Sequence, residues 1–319
     1  MSVLRFSLSA ALFMAALVST STLQAAEQAV RIGYQKSSTL LTLIKQRGEL
    51  DKSLADQGVK VTWHEFSSGL PLLEALNLNN VDLSADVADT VPVFAQAAGA
   101  KLTYYARETP SPDAQAILVP ADSPIKQLAD LKGKKIAVTK AAGSHYLLIA
   151  ALKKAGLSFS DITPAWLTPA DGRAALENGS VAAWVTWEPF VTNARVQQKV
   201  RVLQSGRGLA SYQRYYLAST DFVSKHPEVL NTVYQALNKE ARWLKANPAA
   251  AAKMLSPLWG NLPANIVEQA NARRSYQVEP VKLTDLHEQQ AIADAFYEAK
   301  LLPERINARE VGSWQPQQQ

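Results

Sequence analysis

The chain of 319 residues contains no cysteine. This absence excludes disulfide bridges, catalysis by a thiol, metal sites built on thiolates, and attachment of a lipid to an N-terminal cysteine. Stability therefore has to come from a packed apolar core. A chain of this length is expected to divide that core between two lobes rather than form one.

Several functional patterns are also missing. The four histidines, His64, His145, His226 and His287, show no H-x-x-x-H or H-E-x-x-H spacing, so no metal site is predicted. No G-x-S-x-G elbow is present, and no basic run is interleaved with aromatic residues. We therefore expect no catalytic residues, no metal, no cofactor and no nucleic-acid partner.

The N-terminus has the pattern of a secretory signal peptide. Arg5 precedes an apolar run over residues 10–18, and small residues follow at Ala25 and Ala26. The run is too short to span a bilayer, which disfavours the alternative of a membrane anchor. We expect residues 1–26 to be removed and the rest to be exported to the periplasm. The formal net charge is +5, and loss of Arg5 lowers it by one.

Strands and helices alternate along the mature chain, which predicts α/β lobes with parallel or mixed sheets. Strands are expected near 29–34, 59–63, 81–83, 116–120, 135–138 and 181–187. A proline-rich stretch at 109–112 and a segment near 201–208 are predicted to cross between the lobes. One lobe would then comprise residues 27–108 and 207–319, and the other residues 109–206.

Two helices in this plan have defined starting residues. A short helix is expected to begin at Ser123-Pro124, since serine is a common cap and proline suits a first turn. A long helix should begin at His226-Pro227 and end at Pro248. Its predicted buried face carries Val229, Leu230, Val233, Tyr234, Leu237, Ala241 and Leu244.

Residues 131–156 combine a short apolar strand, a loop of small residues and a helix. Ser144 is placed to cap this helix and Gly156 to end it. The free amides and positive dipole of such a helix start can receive an anion. The same pattern also fits an ordinary capped turn, and these residues alone do not separate the two interpretations.

Four helix starts carry small or hydroxyl-bearing residues directly after a strand. The carboxyl ends of strands are where ligands collect in open α/β sheets. Each start by itself is more often a cap, but several converging on one cleft would bind an oxyanion through neutral dipoles. The four are Ser37-Ser38-Thr39, Ser67-Ser68-Gly69, Asp89-Thr90 and Gly143-Ser144.

Two polar residues near these starts, His145 and Asp89, keep two interpretations each. His145 is either a donor toward the bound anion or a structural residue. Asp89 is favoured as the cap of the helix that begins at Thr90. Alternatively, Asp86 or Asp89 meets a cationic part of the ligand.

Two tryptophans lie three residues apart on one predicted strand and therefore face opposite sides of the sheet. Trp184 is expected in the core. Trp187, next to Glu188 at the end of the strand, is the better candidate for a pocket wall.

Together these segments make the chain resemble the periplasmic aliphatic sulfonate-binding proteins of ABC importers. Related taurine-, nitrate- and sulfate-ester-binding proteins belong to the same broader group. The resemblance covers nearly all of the mature sequence. The segments that carry it are 31–36 (RIGYQK), 73–77 (LEALN), 92–99 (PVFAQAAG), 130–138 (DLKGKKIAV), 167–171 (LTPAD), 183–189 (AWVTWEP) and 294–297 (DAFY).

The resemblance implies a type II periplasmic binding fold, in which two lobes are joined by two hinge crossovers and close on a sulfonate-like anion. It implies a monomer without enzymatic activity that delivers this anion to an inner-membrane permease for sulfur metabolism. The resemblance implies that Trp187 forms a wall of the pocket. It implies that the anion is held by Gln35, Ser37, Ser38, Gly143, Ser144 and His145. Near residues 84–90 this chain has two acids where close relatives have one.

Three classes of function remain open at this point. A binding protein for sulfonates is favoured, with sulfate esters, taurine or nitrate as other ligands. An exported hydrolase would need a nucleophile–base pair or a metal set, and neither spacing occurs. A structural module would need repeats, and we find none.

Overall fold

The computed structural model describes residues 28–35 and 37–317, so the predicted signal peptide lies outside the described residues. The strands are β1 (Gln28–Gln35), β2 (Val59–Phe66), β3 (Leu83–Ser84), β4 (Val87–Ala88), β5 (Leu102–Glu108), β6 (Gln115–Pro120), β7 (Lys135–Val138), β8 (Thr163–Trp166), β9 (Ala183–Trp187), β10 (Val200–Ser205), β11 (Arg214–Ser219), β12 (Val278–Glu279) and β13 (Gly312–Ser313). The helices are α1 (Leu40–Arg47), α2 (Glu49–Ala55), α3 (Gly69–Asn77), α4 (Thr90–Ala97), α5 (Gly143–Lys154), α6 (Pro169–Glu177), α7 (Phe190–Gln197), α8 (Thr220–Lys225), α9 (Pro227–Ala246), α10 (Pro248–Leu258), α11 (Ala264–Asn271) and α12 (His287–Glu298).

The larger sheet has eight strands in the order β12-β5-β11-β3-β1-β2, with β13 paired to β5 and β4 paired to β11. Strand β1 runs parallel to β2 and β3, whereas β11 runs antiparallel to its neighbours. Helices cover both faces, which explains why the end of β1 is almost continuously buried.

The smaller sheet has five strands in the order β10-β6-β9-β7-β8. Strand β7 is parallel to β8 and β9, and β6 is antiparallel to β9 and β10. Both sheets are therefore mixed, as the sequence predicted. Trp184 on β9 is 1 % exposed within the smaller sheet's apolar core, so its predicted core position is confirmed.

The chain passes from the larger to the smaller sheet after β5 and returns before β11. The crossing segments, 109–114 and 206–213, lie side by side and are hydrogen-bonded through Ser111 N to Ser211 O and Gly206 N to Pro112 O, both 2.9 Å. A Cβ on Gly206 would lie 2.5 Å from Pro112 O, so this contact requires glycine. The return was expected near 201–208, but residues 200–205 form β10, so that expectation was wrong for most of the segment.

The helix predicted from His226-Pro227 is confirmed as α9, and every residue of its predicted apolar face is buried. The helix predicted at Ser123-Pro124 is absent from the described chain, where the next helical turn is the 3₁₀ segment Leu128–Leu131. Asp130 explains the difference, because its carboxylate accepts hydrogen bonds from Lys126 N and Gln127 N and holds a turn there.

Helix α12 links the two halves of the molecule. Phe296 and Ile292 of α12 pack with Val93 of α4 and Ile149 of α5 in one apolar cluster. Among the described residues, no helix is both long and apolar enough to cross a membrane.

Candidate functional site

A small cavity lies between the two sheets, at the carboxyl ends of β1, β7 and β9. Its volume is about 20 Å³, roughly the room for one water molecule. We call it the central cavity. Its lining consists of Gln35, Ser68, Gly69, Leu70, Ala88, Val91, Thr139, Lys140, Ala141, Ala142, Gly143, Trp187, Tyr212 and Arg214.

One wall of the central cavity is the loop between β7 and α5. Ala141 has a φ of 60°, a left-handed conformation that is uncommon outside glycine. Helix α5 then begins at Gly143, where a Cβ would lie 2.5 Å from the ring of Tyr212. Glycine therefore lets the helix start approach the opposite wall, and the first amides of a helix have no intrahelical acceptor.

Ser144 does not cap α5, so that prediction was wrong. The cap position is Ala142, and no side chain accepts a hydrogen bond there. The Ser144 hydroxyl is buried and has no partner among the described residues. Because no side chain caps this helix start, its first amides are left for a ligand. The predicted helix end is confirmed, with Gly156 in the left-handed conformation just past the last turn.

Of the residues just before α1, Gln35 lines the central cavity, whereas Ser38 and Thr39 do not. Gln35 lines the central cavity, and its Nε2 donates to Asp86 O at 2.9 Å. Ser38 Oγ accepts from Gln35 N at 3.1 Å. Thr39 Oγ1 accepts from Arg274 Nη1 at 3.1 Å and from Tyr276 Oη at 3.0 Å. Ser38 and Thr39 therefore serve protein partners, and neither lines the cavity.

Asp86 belongs to a buried cluster of four charges with Glu108, Arg214 and Arg274. Asp86 Oδ2 lies 2.7 Å from Arg214 Nη2 and 3.0 Å from Arg274 Nη2. Arg274 Nη2 also lies 2.7 Å from Glu108 Oε1. Both carboxylate side chains are fully buried, and the two arginine side chains are 4 % and 6 % exposed. The cationic partners of Asp86 are therefore arginines of the protein.

Asp89 caps α4, as the favoured interpretation predicted. Its Oδ1 accepts from Thr90 N at 2.9 Å and its Oδ2 from Gln213 N at 3.1 Å. Burial raises the pKa of Asp89 to about 7 despite these two bonds, which favour the charged form. Asp89 and Thr90 are buried and neither is among the lining residues, although Ala88 and Val91 beside them are.

His145 lies in an aromatic cluster rather than at the central cavity. Its ring centroid is 4.7 Å from that of Phe296, 5.0 Å from Trp166 and 5.4 Å from Phe159. Its Nδ1 accepts from Ala141 N at 3.2 Å. Burial lowers the pKa of His145 to about 3, so the ring is neutral at pH 7. The geometry fits the structural alternative, in which His145 fixes the loop that precedes α5.

Trp187 and Glu188 connect the smaller sheet to the opposite side of the cleft. Trp187 lines the central cavity, and its Nε1 donates to Ser37 Oγ at 3.5 Å. Glu188 Oε1 lies 3.2 Å from Arg273 Nε, and its two oxygens also accept from Thr192 N and Oγ1. Burial raises the pKa of Glu188 to about 7. The Glu188 carboxylate thus forms an ion pair with Arg273 of the other half, and it does not line the central cavity.

Sequence reasoning missed the groups that face the α5 start. Arg214 and Tyr212 line the cavity, and Arg214 Nη1 donates to Tyr212 Oη at 2.9 Å. Tyr212 also has a left-handed φ of 53°. The sequence did contain a signal for Arg214, which begins the otherwise mostly apolar run RYYLAS. A charged residue in a buried strand is rare unless it is paired, so it indicates a specific partner or function. Ser68 and Gly69, noted as a helix start, also line the cavity.

Comparison with known proteins gives concordant results. A family model described as NMT1/THI5 like matches residues 54–251. A putative aliphatic sulfonates-binding protein of Escherichia coli K12 is 39% identical over 312 residues, covering 96% of each chain.

Solved structures of similar proteins support the same fold. The periplasmic aliphatic sulphonate binding protein SsuA from Escherichia coli aligns with a TM-score of 0.83 at 40% identity, covering 92% of this chain and 94% of that one. The alkanesulfonate-binding protein SsuA from Xanthomonas axonopodis pv. citri, solved bound to MOPS, aligns with a TM-score of 0.81 at 40% identity, covering 87% and 95%. The predicted periplasmic binding protein fold is confirmed.

Proposed function

Since this chain belongs to the NMT1/THI5-like family and, within it, to the family of aliphatic sulfonate-binding proteins, we propose that it is the periplasmic binding protein of an ABC importer. It captures an organic sulfonate between its two halves and delivers it to an inner-membrane permease, which supplies sulfur metabolism. The observation that carries this proposal is the uncapped start of α5 facing Arg214 and Tyr212 across the central cavity.

The sulfonate oxygens are held mainly by neutral dipoles. The first amides of α5, at Gly143 and Ser144, point the positive end of the helix dipole at the anion. Gln35 supplies an amide, and Arg214 supplies guanidinium N–H groups from the opposite wall. Because Asp86 already pairs with Arg214, the sulfonate meets an arginine whose charge is largely balanced.

The tail of the ligand runs along Trp187. An indole ring offers a flat apolar surface to a methylene chain or to a ring. No acidic side chain lines the central cavity within the described residues, so a cationic tail such as the ammonium of taurine finds no direct partner. Among aliphatic sulfonates, this favours those without a charged amine over taurine.

Capture occurs by closure of two lobes, residues 27–108 with 207–319 and residues 109–206, about the two crossing segments. The central cavity is too small for a sulfonate, so the walls have to separate for entry. The Glu188–Arg273 ion pair and the Trp187–Ser37 contact join the two sides and would break on opening.

The protein binds its ligand without reacting with it. Asp86, Asp89 and Glu188 each have protein partners, and the Ser144 hydroxyl makes no hydrogen bond with His145. None of these side chains is placed as a nucleophile with its base. We propose that residues 1–26 direct export and that the mature protein works as a monomer.

A thermal-shift screen tests this function. The mature chain is heated with butane-1-sulfonate, benzenesulfonate, butyl sulfate, taurine, nitrate and sulfate in turn. A ligand that binds the native state raises the midpoint in a concentration-dependent way. We expect butane-1-sulfonate and benzenesulfonate to give larger shifts than taurine and the other anions. The proposal fails if neither does, and a larger shift with nitrate or butyl sulfate would reassign the ligand.

A further inference from the structure

A second cavity opens on the far side of the Trp187–Ser37 contact. We call it the side groove; its volume is about 400 Å³. Ser37 lines it and also accepts the hydrogen bond from Trp187, which lines the central cavity. A ligand whose sulfonate lies in the central cavity and whose tail passes this contact would therefore enter the side groove.

The side groove is bounded by both halves of the molecule. Helices α6 and α7 of the smaller half form one side, and Trp259 and Leu262, in the connection from α10 to α11, form the other. Phe190 and Pro189 add apolar surface between them. Its volume lies within the range of small-molecule sites, and mostly apolar lining with a few polar groups is typical of such sites.

Three polar side chains of the groove have no protein partner among the described residues. Asn193 is 5 % exposed, and its Oδ1 is buried without a hydrogen bond. Trp259 Nε1 is likewise buried and unpaired. Arg173 lines the groove, and no described acidic residue lies within ion-pair distance of it. Buried polar groups are normally satisfied, so these two leave hydrogen-bonding capacity that a ligand in the groove could use.

The chemistry of these groups defines what they would bind. An indole N–H only donates hydrogen bonds, a guanidinium donates and carries a positive charge, and an amide can turn to present its NH₂. Together they suit an acceptor with negative charge at the end of an apolar linker. We propose, on the basis of the proposed function, that the side groove binds the carboxylate end of a sulfonate that carries a carboxylate at its other terminus.

Two ligands of matched length test this proposal by isothermal titration calorimetry on the mature chain. Butane-1-sulfonate and 4-sulfobutanoate differ only in a methyl against a carboxylate at the far end. We expect 4-sulfobutanoate to bind about tenfold more tightly, as one charge-assisted hydrogen-bonded contact provides. Equal affinities, or weaker binding of the carboxylate, would overturn the inference. Binding of neither ligand would instead overturn the proposed function.

Two variants test whether Arg173 and Trp259 cause the preference for 4-sulfobutanoate. Arg173→Gln and Trp259→Phe each remove a donor, and we expect each to reduce the preference for 4-sulfobutanoate several-fold while leaving the affinity for butane-1-sulfonate close to that of the parent. Arg309→Gln removes an arginine that does not line the groove, and it should leave the preference intact. If Arg173→Gln behaves like Arg309→Gln, the assignment of Arg173 is wrong.

Discussion

The two walls of the central cavity are built from different chemistry. The wall of the larger sheet presents Arg214, whose charge is paired with Asp86 within a buried four-charge cluster. The wall of the smaller sheet presents the backbone of residues 139–143, with no side-chain cap at the start of α5. We call these the charged wall and the backbone wall.

This difference predicts that mutations in the two walls affect different properties of the protein. Removing one buried charge of the charged wall leaves its partner unpaired in a low-dielectric interior, and this strongly destabilises the fold. The backbone wall depends mainly on its shape. That shape is set by the left-handed conformation of Ala141 and by Gly143, which lies closest to the Tyr212 ring. We therefore expect changes in the charged wall to affect folding most, and changes in the backbone wall to affect ligand affinity more.

The largest effect is expected from Arg274→Met in the charged wall. It leaves Glu108 and Asp86 with fewer cationic partners in a fully buried place, and we expect the free energy of unfolding to fall by about 3–5 kcal/mol. Urea denaturation measures this change. Lys153→Met, in the exposed pair with Glu298, is the control and should change little. Comparable losses in both variants would contradict the role of the cluster.

A pH titration of stability tests the buried Asp89 of the larger half. Within residues 28–35 and 37–317, no cation lies within hydrogen-bond distance of Asp89, and burial raises its pKa from an ordinary value of 3.8 to about 7. The folded protein therefore binds a proton that the unfolded chain releases, so this contribution is complete below about pH 4 and is lost as pH rises through 7. Asp86, by contrast, has two arginine partners.

From Asp89 alone, we expect the free energy of unfolding to fall by about 2–3 kcal/mol between pH 5 and pH 8. Asp89→Asn should remove this part of the pH dependence. The contributions of Glu188, whose pKa burial raises, and of His145, whose pKa burial lowers, act in opposite directions and are common to both proteins. Urea denaturation across this pH range is the measurement. A decline as steep in Asp89→Asn as in the parent protein would rule out Asp89 as its source.

Gly143→Ala changes the backbone wall. The new Cβ meets the Tyr212 ring, and such overpacking costs about 1–3 kcal/mol. We expect this cost to appear mainly on closure, as at least a tenfold loss of sulfonate affinity in calorimetry, because the contact joins the two walls. A variant that binds like the parent protein while unfolding at lower urea would show that the contact serves folding only.

Ser144→Ala has the smallest expected effect. Loss of a helix cap costs about 1 kcal/mol, but the Ser144 hydroxyl makes no capping bond. We expect the free energy of unfolding to stay within about 0.5 kcal/mol of the parent value or to rise, since a buried unpaired hydroxyl is removed. A loss near that of a true cap, measured in urea, would contradict the backbone wall as described.

The sequence predicted the regular elements well, and three of its candidate site residues line the central cavity. Apolar periodicity is a local signal, and it sufficed for α9 and for the strand–loop–helix of β7 and α5. Gly143 was proposed as a helix start, Trp187 as a pocket wall at the end of a strand, and Gln35 through the family resemblance. The absence of a Ser144 cap could not be predicted, because a serine near a helix start looks the same whether or not its side chain caps the helix.

The partners of the charges could not be predicted in the same way. Asp86 meets Arg214 and Arg274, which lie 128 and 188 residues further along the chain. That pairing depends on β11 returning to the larger sheet beside β3 and β4, which no local pattern specifies. His145 was also ambiguous, since its aromatic neighbours Phe159, Trp166 and Phe296 come from three separate segments.

One calorimetric titration tests the central claim most directly. Butane-1-sulfonate is added to the mature protein, with sulfate and nitrate as parallel ligands of similar charge chemistry but without a tail for Trp187. The account predicts saturable one-to-one binding of the sulfonate, and much weaker binding of the two inorganic anions. A folded protein that gives no saturable heat with the sulfonate, or that binds all three alike, would contradict it.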